Sequence, residues 1–486
     1  MISEMLRRAR EYEKENLPEP ESPLLPKLHL TGGTGWINDP NGFSFYRGEY
    51  HLFFQYYPYD NNWNSMHWGH AKTNDLIKWQ RLPCAMAPDA PFDKDGCFSG
   101  SAIEMADGRH LIMYTSVDGE LQTQSIAFGD GVNYEKYEGN PVITGADLPE
   151  GGSTRDFRDP KLWEEEGRFY AVAGDRCPDG TGAILLFESE DVLHWKYKGK
   201  LAQSAGRRGR MWECPDLFAL DGTDVLLVST MEMEEDEPEF IEGNTTLCLI
   251  GKYEREKVRF APEHEQTIDY GLDFYAPQTM AAPDGRRIMT AWMQYWGSTR
   301  WHPENLPFFG QMTLPRELSL REGRLYQTPV RELENYRTGK TAYKNIEIRE
   351  KTELSGIEGR CLDMTVTVRP AAENALKAFS IYLAEGEGFS TEIRYDAERK
   401  MILVDREKSG FPADIRGKRE FPSGEGDSVT LRIILDRWSL ELFVNGGERA
   451  ASFTLYTPPE CAGIRFLAEG KALIDVEKYE LEIGNE

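Results

Sequence analysis

Three carboxylates far apart in the chain stand in similar surroundings: Asp39 in Asn38-Asp39-Pro40-Asn41-Gly42, Asp159 in Arg158-Asp159-Pro160, and Glu213 in Glu213-Cys214-Pro215. Each is at or beside a residue that precedes proline, which favours extended backbone there. Asn41-Gly42 adds a strong turn signal just after Asp39. Taken singly, Asp39 can be a structural turn residue and Arg158-Asp159 an ion pair pinning a corner. Brought together, like charges in a partly desolvated pocket raise one another's pKa and weaken the fold, so such a grouping is rarely kept for stability. Two carboxylates facing a glycosidic bond, one an ionised nucleophile and the other a general acid, are what glycoside hydrolysis needs. Arg158 could hold Asp159 ionised or clamp a sugar hydroxyl.

A repeat supplies the means of bringing them together. A small or charged residue beside Pro or Ser starts an extended segment, a glycine turn follows, and an apolar strand comes next. Copies begin at Asp39, Gly100, Asp159, Cys214 and Ala276, with turn glycines at 48, 108, 167, 222 and 285. A period of about 60 residues with short strands suits four-stranded propeller blades. No copy has a run resembling the long crossover helix that parallel sheets need, which disfavours a parallel α/β barrel. The expectation is an all-β chain: a five-bladed β-propeller whose first strands line a central channel, followed by a C-terminal β-sandwich. Residues 1–26 are expected as a helix and proline-rich arm, 27–325 as the propeller, 326–343 as a linker and 344–486 as the sandwich. The sandwich reading rests on period-2 strands such as Met364–Val368, Phe379–Leu383, Val429–Ile434 and Leu440–Val444, with Asn445-Gly446-Gly447 closing a hairpin.

Aromatics cluster near the repeat starts. Most must pack between blades, but their faces also suit the C–H surface of a sugar. Trp63, Phe98 and Trp296 are expected to face substrate, with Tyr275 close by; Asn38, Gln55 and Ser99 could read hydroxyls. No metal site is expected, because the eight histidines are scattered and the seven cysteines lack ligand spacing. His67 and His70 read as core histidines. Glycoside hydrolysis needs no cofactor, and none is expected.

The chain has 486 residues, 12% aromatics and a net charge of −26. That charge opposes nucleic acid and anionic membrane surfaces as partners. No apolar stretch is long enough to span a bilayer, and the N-terminus lacks signal-peptide layout. With an odd number of unpaired cysteines, a cytoplasmic location is expected, and Asn244-Thr245-Thr246 reads as an idle glycosylation acceptor. The N-terminal helix could pack on its own subunit or on a neighbour, so a homo-oligomer stays open.

The motifs Trp36-Ile37-Asn38-Asp39-Pro40-Asn41-Gly42, Phe157-Arg158-Asp159-Pro160 and Trp212-Glu213-Cys214-Pro215-Asp216-Leu217-Phe218 closely resemble three signatures of the invertase/β-fructofuranosidase group, glycoside hydrolase family 32. Phe53-Phe54-Gln55, Trp68-Gly69-His70-Ala71, Phe98-Ser99-Gly100-Ser101, Asp273-Phe274-Tyr275-Ala276 and the run from Asp436-Arg437 to Asn445 are similar too, and the likeness runs from about Lys27 to the end. It implies a propeller followed by a sandwich, Asp39 as nucleophile, Asp159 as transition-state stabiliser and Glu213 as general acid/base. It implies retention of configuration at terminal β-fructofuranosides, hence carboxyl groups about 5–5.5 Å apart. Ile37 and Trp438 depart from the usual residues without touching this chemistry. Sucrose, sucrose 6-phosphate and short fructo-oligosaccharides remain as substrates; a fructan exohydrolase, a fructosyltransferase or a non-catalytic sugar-binding propeller are the alternatives. A phosphate would want Arg176 or Lys94 near the mouth, while the acidic run 231–242 would repel it.

Overall fold

The first ordered element grows from a short capped segment. Ser3 accepts a hydrogen bond from Leu6 N at 3.1 Å, and helix α1 runs Glu4–Asn16 before Pro18 ends it. Leu6, Ala9 and Glu13 form its buried face. That face lies on strand Gln80–Met86 of the same chain, with Arg10 Nε donating to Cys84 O at 2.9 Å. The arm therefore packs on its own subunit. This computed structural model describes residues 2–204, 206–372 and 375–483; Met1 and 484–486, the outer ends of the expected first and last segments, lie outside them.

Strands dominate the rest, in five small sheets, antiparallel but for one short parallel pairing that adds a fifth strand to the first, followed by two sheets of six and five strands. The first strands of the small sheets are Gly35–Tyr46, Gly96–Glu104, Phe157–Glu165, Arg208–Leu220 and Tyr275–Ala281. They touch one another in sequence, and the fifth touches the first. Separate apolar cores fill each gap between neighbouring sheets, including that between the fifth and the first. Burial on both faces is why strands such as His110–Asp118 read as nearly continuous apolar runs. Phe308-Phe309, from the fifth unit, pairs in parallel with Gly35-Trp36 and ties the last unit to the first.

Local chemistry accounts for the repeat. The glycines at 48, 108, 167, 222 and 285 all have φ between +74° and +87°, as tight hairpin turns demand. The similar segments around Asp75 and Asp191 are matching Asx turns: each carboxylate accepts from the backbone N–H groups two and three residues on.

The last two sheets share one apolar core. All four period-2 segments named above lie in their strands. The expected connector is mostly not one. Residues 326–329 belong to strand Arg324–Pro329, and 337–343 begin strand Arg337–Ile348, which pairs with Ala472–Leu481; a 3-10 turn, Arg331–Tyr336, is what joins them. Its polar, charged composition resembles a linker because this strand lies at the sheet edge with few buried residues.

Candidate active site

Every inner strand carries a β-bulge at the same level, two residues opposing one on the neighbouring strand. Asn38-Asp39 oppose Gln55, Phe98-Ser99 oppose Thr115, and Asp159-Pro160 oppose Ala173. Cys214-Pro215 oppose Val228, and Ala276-Pro277 oppose Ala291. Bulges bend a strand and re-aim its side chains, and proline in a strand is confined to such places. Asp159, Cys214 and Ala276, each just before proline, have φ of +65°, +46° and +51°. Left-handed backbone costs roughly 1–2 kcal/mol per non-glycine residue, and strain of this kind gathers at functional sites. In the second strand, which lacks the proline, close approach takes its place: a Cβ on Gly100 would lie 2.0 Å from Met113 O.

Side chains at or just before the bulges line one cavity of about 550 Å³. Asn38, Asp39, Gln55, Trp63, Phe98, Ser99, Arg158, Asp159, Glu213, Tyr275 and Trp296 all line it. Sequence reasoning thus reached every one of these positions.

At its floor Asp39 is buried. Ser99 Oγ donates to Asp39 Oδ2 at 2.6 Å, and Asn38 Nδ2 donates to Oδ1 at 3.1 Å, itself held by Trp36 Nε1 at 2.7 Å. Desolvation pushes the Asp39 carboxyl above the ordinary aspartate range, the Glu213 charge pushes the same way, and the two donors pull against them. Asp159 is also raised, by burial and by the Glu213 and Asp39 charges, with Arg158 opposing. Cys214 joins the two: its backbone N–H donates to Asp159 Oδ2 at 3.0 Å, and its thiol lies 3.5 Å from an oxygen of each aspartate.

Asp39, Asp159 and Cys214 thereby bring three possible metal-ligating atoms within 4.8 Å of one another, which no linear spacing could reveal because they come from three sheets. Burial and the adjacent carboxylates push the Cys214 thiol well up, which keeps it a neutral donor to them.

Glu213 is gripped from two sides. Arg158 Nε donates to its Oε1 at 2.9 Å, and Tyr275 O–H donates to its Oε2 at 2.5 Å. This corrects the expected pairing of Arg158 with Asp159. Arg158 lines the same cavity as Asp159 but reaches across to Glu213 of the next sheet, and acts on Asp159 through its charge.

Among the aromatics, Trp63 is 46% exposed on the rim and meets Phe98 edge-on at 5.8 Å. Trp296 packs against Trp292 at 4.9 Å. Trp36, Phe54, Trp68, Trp212 and Trp292 are core residues. Gln55 Nε2 donates to Cys97 O, which fixes its amide. His67 and His70 are buried, bonded to Ser65 O and His51.

Sequence reasoning missed part of the wall. Gln122 accepts from Arg158 Nη1 at 3.2 Å, as does Asp156. Asn244, read only as a glycosylation acceptor, donates through Nδ2 to the Tyr275 hydroxyl at 3.3 Å and faces the cavity. Gln122 and Asn244 each lie on the third strand of their sheet, away from the repeat starts where chemistry was sought. Lys94, by contrast, pairs with Asp118 on the surface and does not line the cavity.

Comparison with known proteins bears on the same residues. The glycosyl hydrolases family 32 N-terminal domain matches residues 29–329, and the family's C-terminal domain matches 332–482. Sucrose-6-phosphate hydrolase of Zymomonas mobilis is 34% identical over 93% of this chain and 90% of its own. Raffinose invertase of Escherichia coli is 34% identical over 92% of this chain and 93% of its own. Among solved structures, a β-fructofuranosidase mutant of Bombyx mori in complex with sucrose aligns with a TM-score of 0.82 at 31% identity, covering 98% of this chain and 97% of that one. Both halves are matched in order, and the motifs that build the bulged cavity fall inside the first match: the chain belongs to glycosyl hydrolase family 32.

Proposed function

We propose that this glycoside hydrolase is a retaining β-fructofuranosidase acting on sucrose, sucrose 6-phosphate or short fructo-oligosaccharides. The observation that carries the reading is that Asp39, Asp159 and Glu213, from three sheets, line one cavity, with Glu213 held between Arg158 and Tyr275. Asp39 attacks the anomeric C2 of fructose. Glu213 gives its proton to the departing glycosidic oxygen, so the C2–O bond breaks as the Asp39 ester forms. Glu213 then takes a proton from water, whose oxygen displaces Asp39 and releases fructose with its configuration retained. Asp159 grips ring hydroxyls as the sugar flattens towards an oxocarbenium ion. Asn38, Gln55 and Ser99 orient the polar edge of the sugar, and Trp63, Phe98 and Trp296 present apolar faces to it.

The architecture we propose is a five-bladed propeller and a sandwich. The closed cycle of inner strands and the shared core of the last two sheets support it, as does the match boundary near residue 330. The sandwich then begins at Arg337. No helix among the described residues is long and apolar enough to cross a membrane, and a cytoplasmic location remains part of the proposal.

The test is purified protein on sucrose, inulin and levan, with the first-released anomer recorded by NMR. β-Fructose is expected first, and Asp39→Asn and Glu213→Gln should each lower kcat/KM for sucrose by roughly 10³-fold or more. Wild-type rates in either variant would contradict the assignment.

A further inference from the structure

The cavity as a whole holds more carboxylates than cations, and its cations are already engaged. Five carboxylates line the cavity (Asp39, Glu120, Asp156, Asp159 and Glu213) against two guanidinium groups, Arg155 and Arg158. Neither guanidinium is free. Arg158 is bound to Glu213 at 2.9 Å and Asp156 at 3.2 Å. At the rim, where the side chains of Arg155 and Glu120 are 68% and 74% exposed, Arg155 pairs with Glu120 at 3.1 Å. Just behind, Arg176 is ion-paired with Asp156 at 3.0 Å and Glu232 at 3.5 Å, so the start of the acidic run does reach the neighbourhood of the mouth.

Because Asp39 and Asp159 lie buried at the floor, the unit that departs occupies this rim. We infer that the site selects an uncharged leaving group, so that sucrose is preferred to sucrose 6-phosphate; this rests on the fructosidase reading above. A phosphate dianion needs free guanidinium or ammonium groups, ideally in bidentate contact. Here it would have to break an existing ion pair while entering a field of its own sign. A neutral glucosyl unit meets no such barrier. Its hydroxyls can donate to Glu120 and Asp156, and Trp63 offers a ring face at the same rim.

The experiment compares kcat/KM for sucrose and sucrose 6-phosphate at low and high ionic strength, with Glu120→Gln alongside wild type. Sucrose is expected to be better by at least about tenfold at low salt, with the ratio narrowing as salt screens the rim. Glu120→Gln, which releases Arg155, should shift the ratio several-fold towards sucrose 6-phosphate. A ratio below about tenfold, or one indifferent to salt and to Glu120→Gln, overturns the inference. Failure to cleave sucrose, sucrose 6-phosphate and inulin alike would instead overturn the fructosidase reading on which it rests.

Discussion

Asp39 is pulled in opposite directions by its neighbours. Burial and the Glu213 charge raise its pKa, while the Ser99 hydroxyl and the Asn38 amide favour the ionised form. A nucleophile must be ionised, so activity falls as pH drops through its pKa. The acidic limb of kcat/KM is therefore expected above the ordinary aspartate range. Ser99→Ala removes one opposing donor. The limb should then move to still higher pH, and kcat should fall by about tenfold even on the plateau; a pH–rate profile of the two proteins checks both. An unmoved limb would mean that the Ser99 bond does not tune Asp39. At this scale the three acids could be picked out in the sequence, because each stands in a distinctive tripeptide, and all three line one cavity. Sequence reasoning mispaired Arg158, because the bulge at Asp159-Pro160 re-aims Asp159 and leaves Arg158 to reach Glu213 of the next sheet.

The elements were legible where a single residue type decides the backbone. Glycines with positive φ marked the five turns. Proline accompanies four of the five bulges, but the residues before it were expected extended, and Asp159, Cys214 and Ala276 are left-handed instead. The bulge at Phe98-Ser99 carries no proline and could not be read in advance. Helix α1 was legible as a helix, but its partner was not. Glu13 lies on its buried face and accepts from Cys84 N at 2.9 Å. Burial lifts the Glu13 carboxyl from 4.5 to about 7. Its contribution to docking is therefore fully present below pH 4.5 and is lost as pH rises through about 7. Amide hydrogen exchange in α1, corrected for intrinsic rates, should be faster at pH 8.5 than at pH 5.5, and Glu13→Gln should remove most of the difference. Equal protection at both pH values in the wild type would contradict this account.

Across the whole molecule, a buried charged network joins the N-terminal arm, the fifth small sheet and the six-stranded sheet. His29 lies 2.9 Å from Asp436 and 3.0 Å from Glu441, and Arg316 links Glu441 to Asp269. The paired carboxylates lift His29 to about 9 against its burial, and His29 holds Asp436 down at about 2. The histidine is thus doubly protonated at neutral pH, with both ring nitrogens donating, and each member has a partner, which a buried polar cluster requires. Arg437 and Trp438 add bonds to the arm at Leu25 O and Leu24 O. Nothing in the sequence pointed to this network, since members such as His29 and Asp436 lie hundreds of residues apart and their types are ordinary. Within the Asp436–Asn445 run, Leu440–Val444 was readable as a strand, but Asp436 drew notice only through family likeness. The order of the units, by contrast, was readable throughout, because a repeat of about 60 residues needs only local turn and strand signals to be seen.

The central claim, that Asp39 forms a covalent bond to fructose which Glu213 helps to make and break, is open to direct capture. Glu213→Gln supplied with a β-fructofuranoside bearing a good leaving group should form the intermediate without a base to speed its hydrolysis. After rapid acid quench and digestion, mass spectrometry should find one added fructosyl unit on the peptide that contains Asp39. A fructosyl unit on the peptide containing Asp159 instead, or α-fructose as the first product of the wild-type enzyme, would contradict the account.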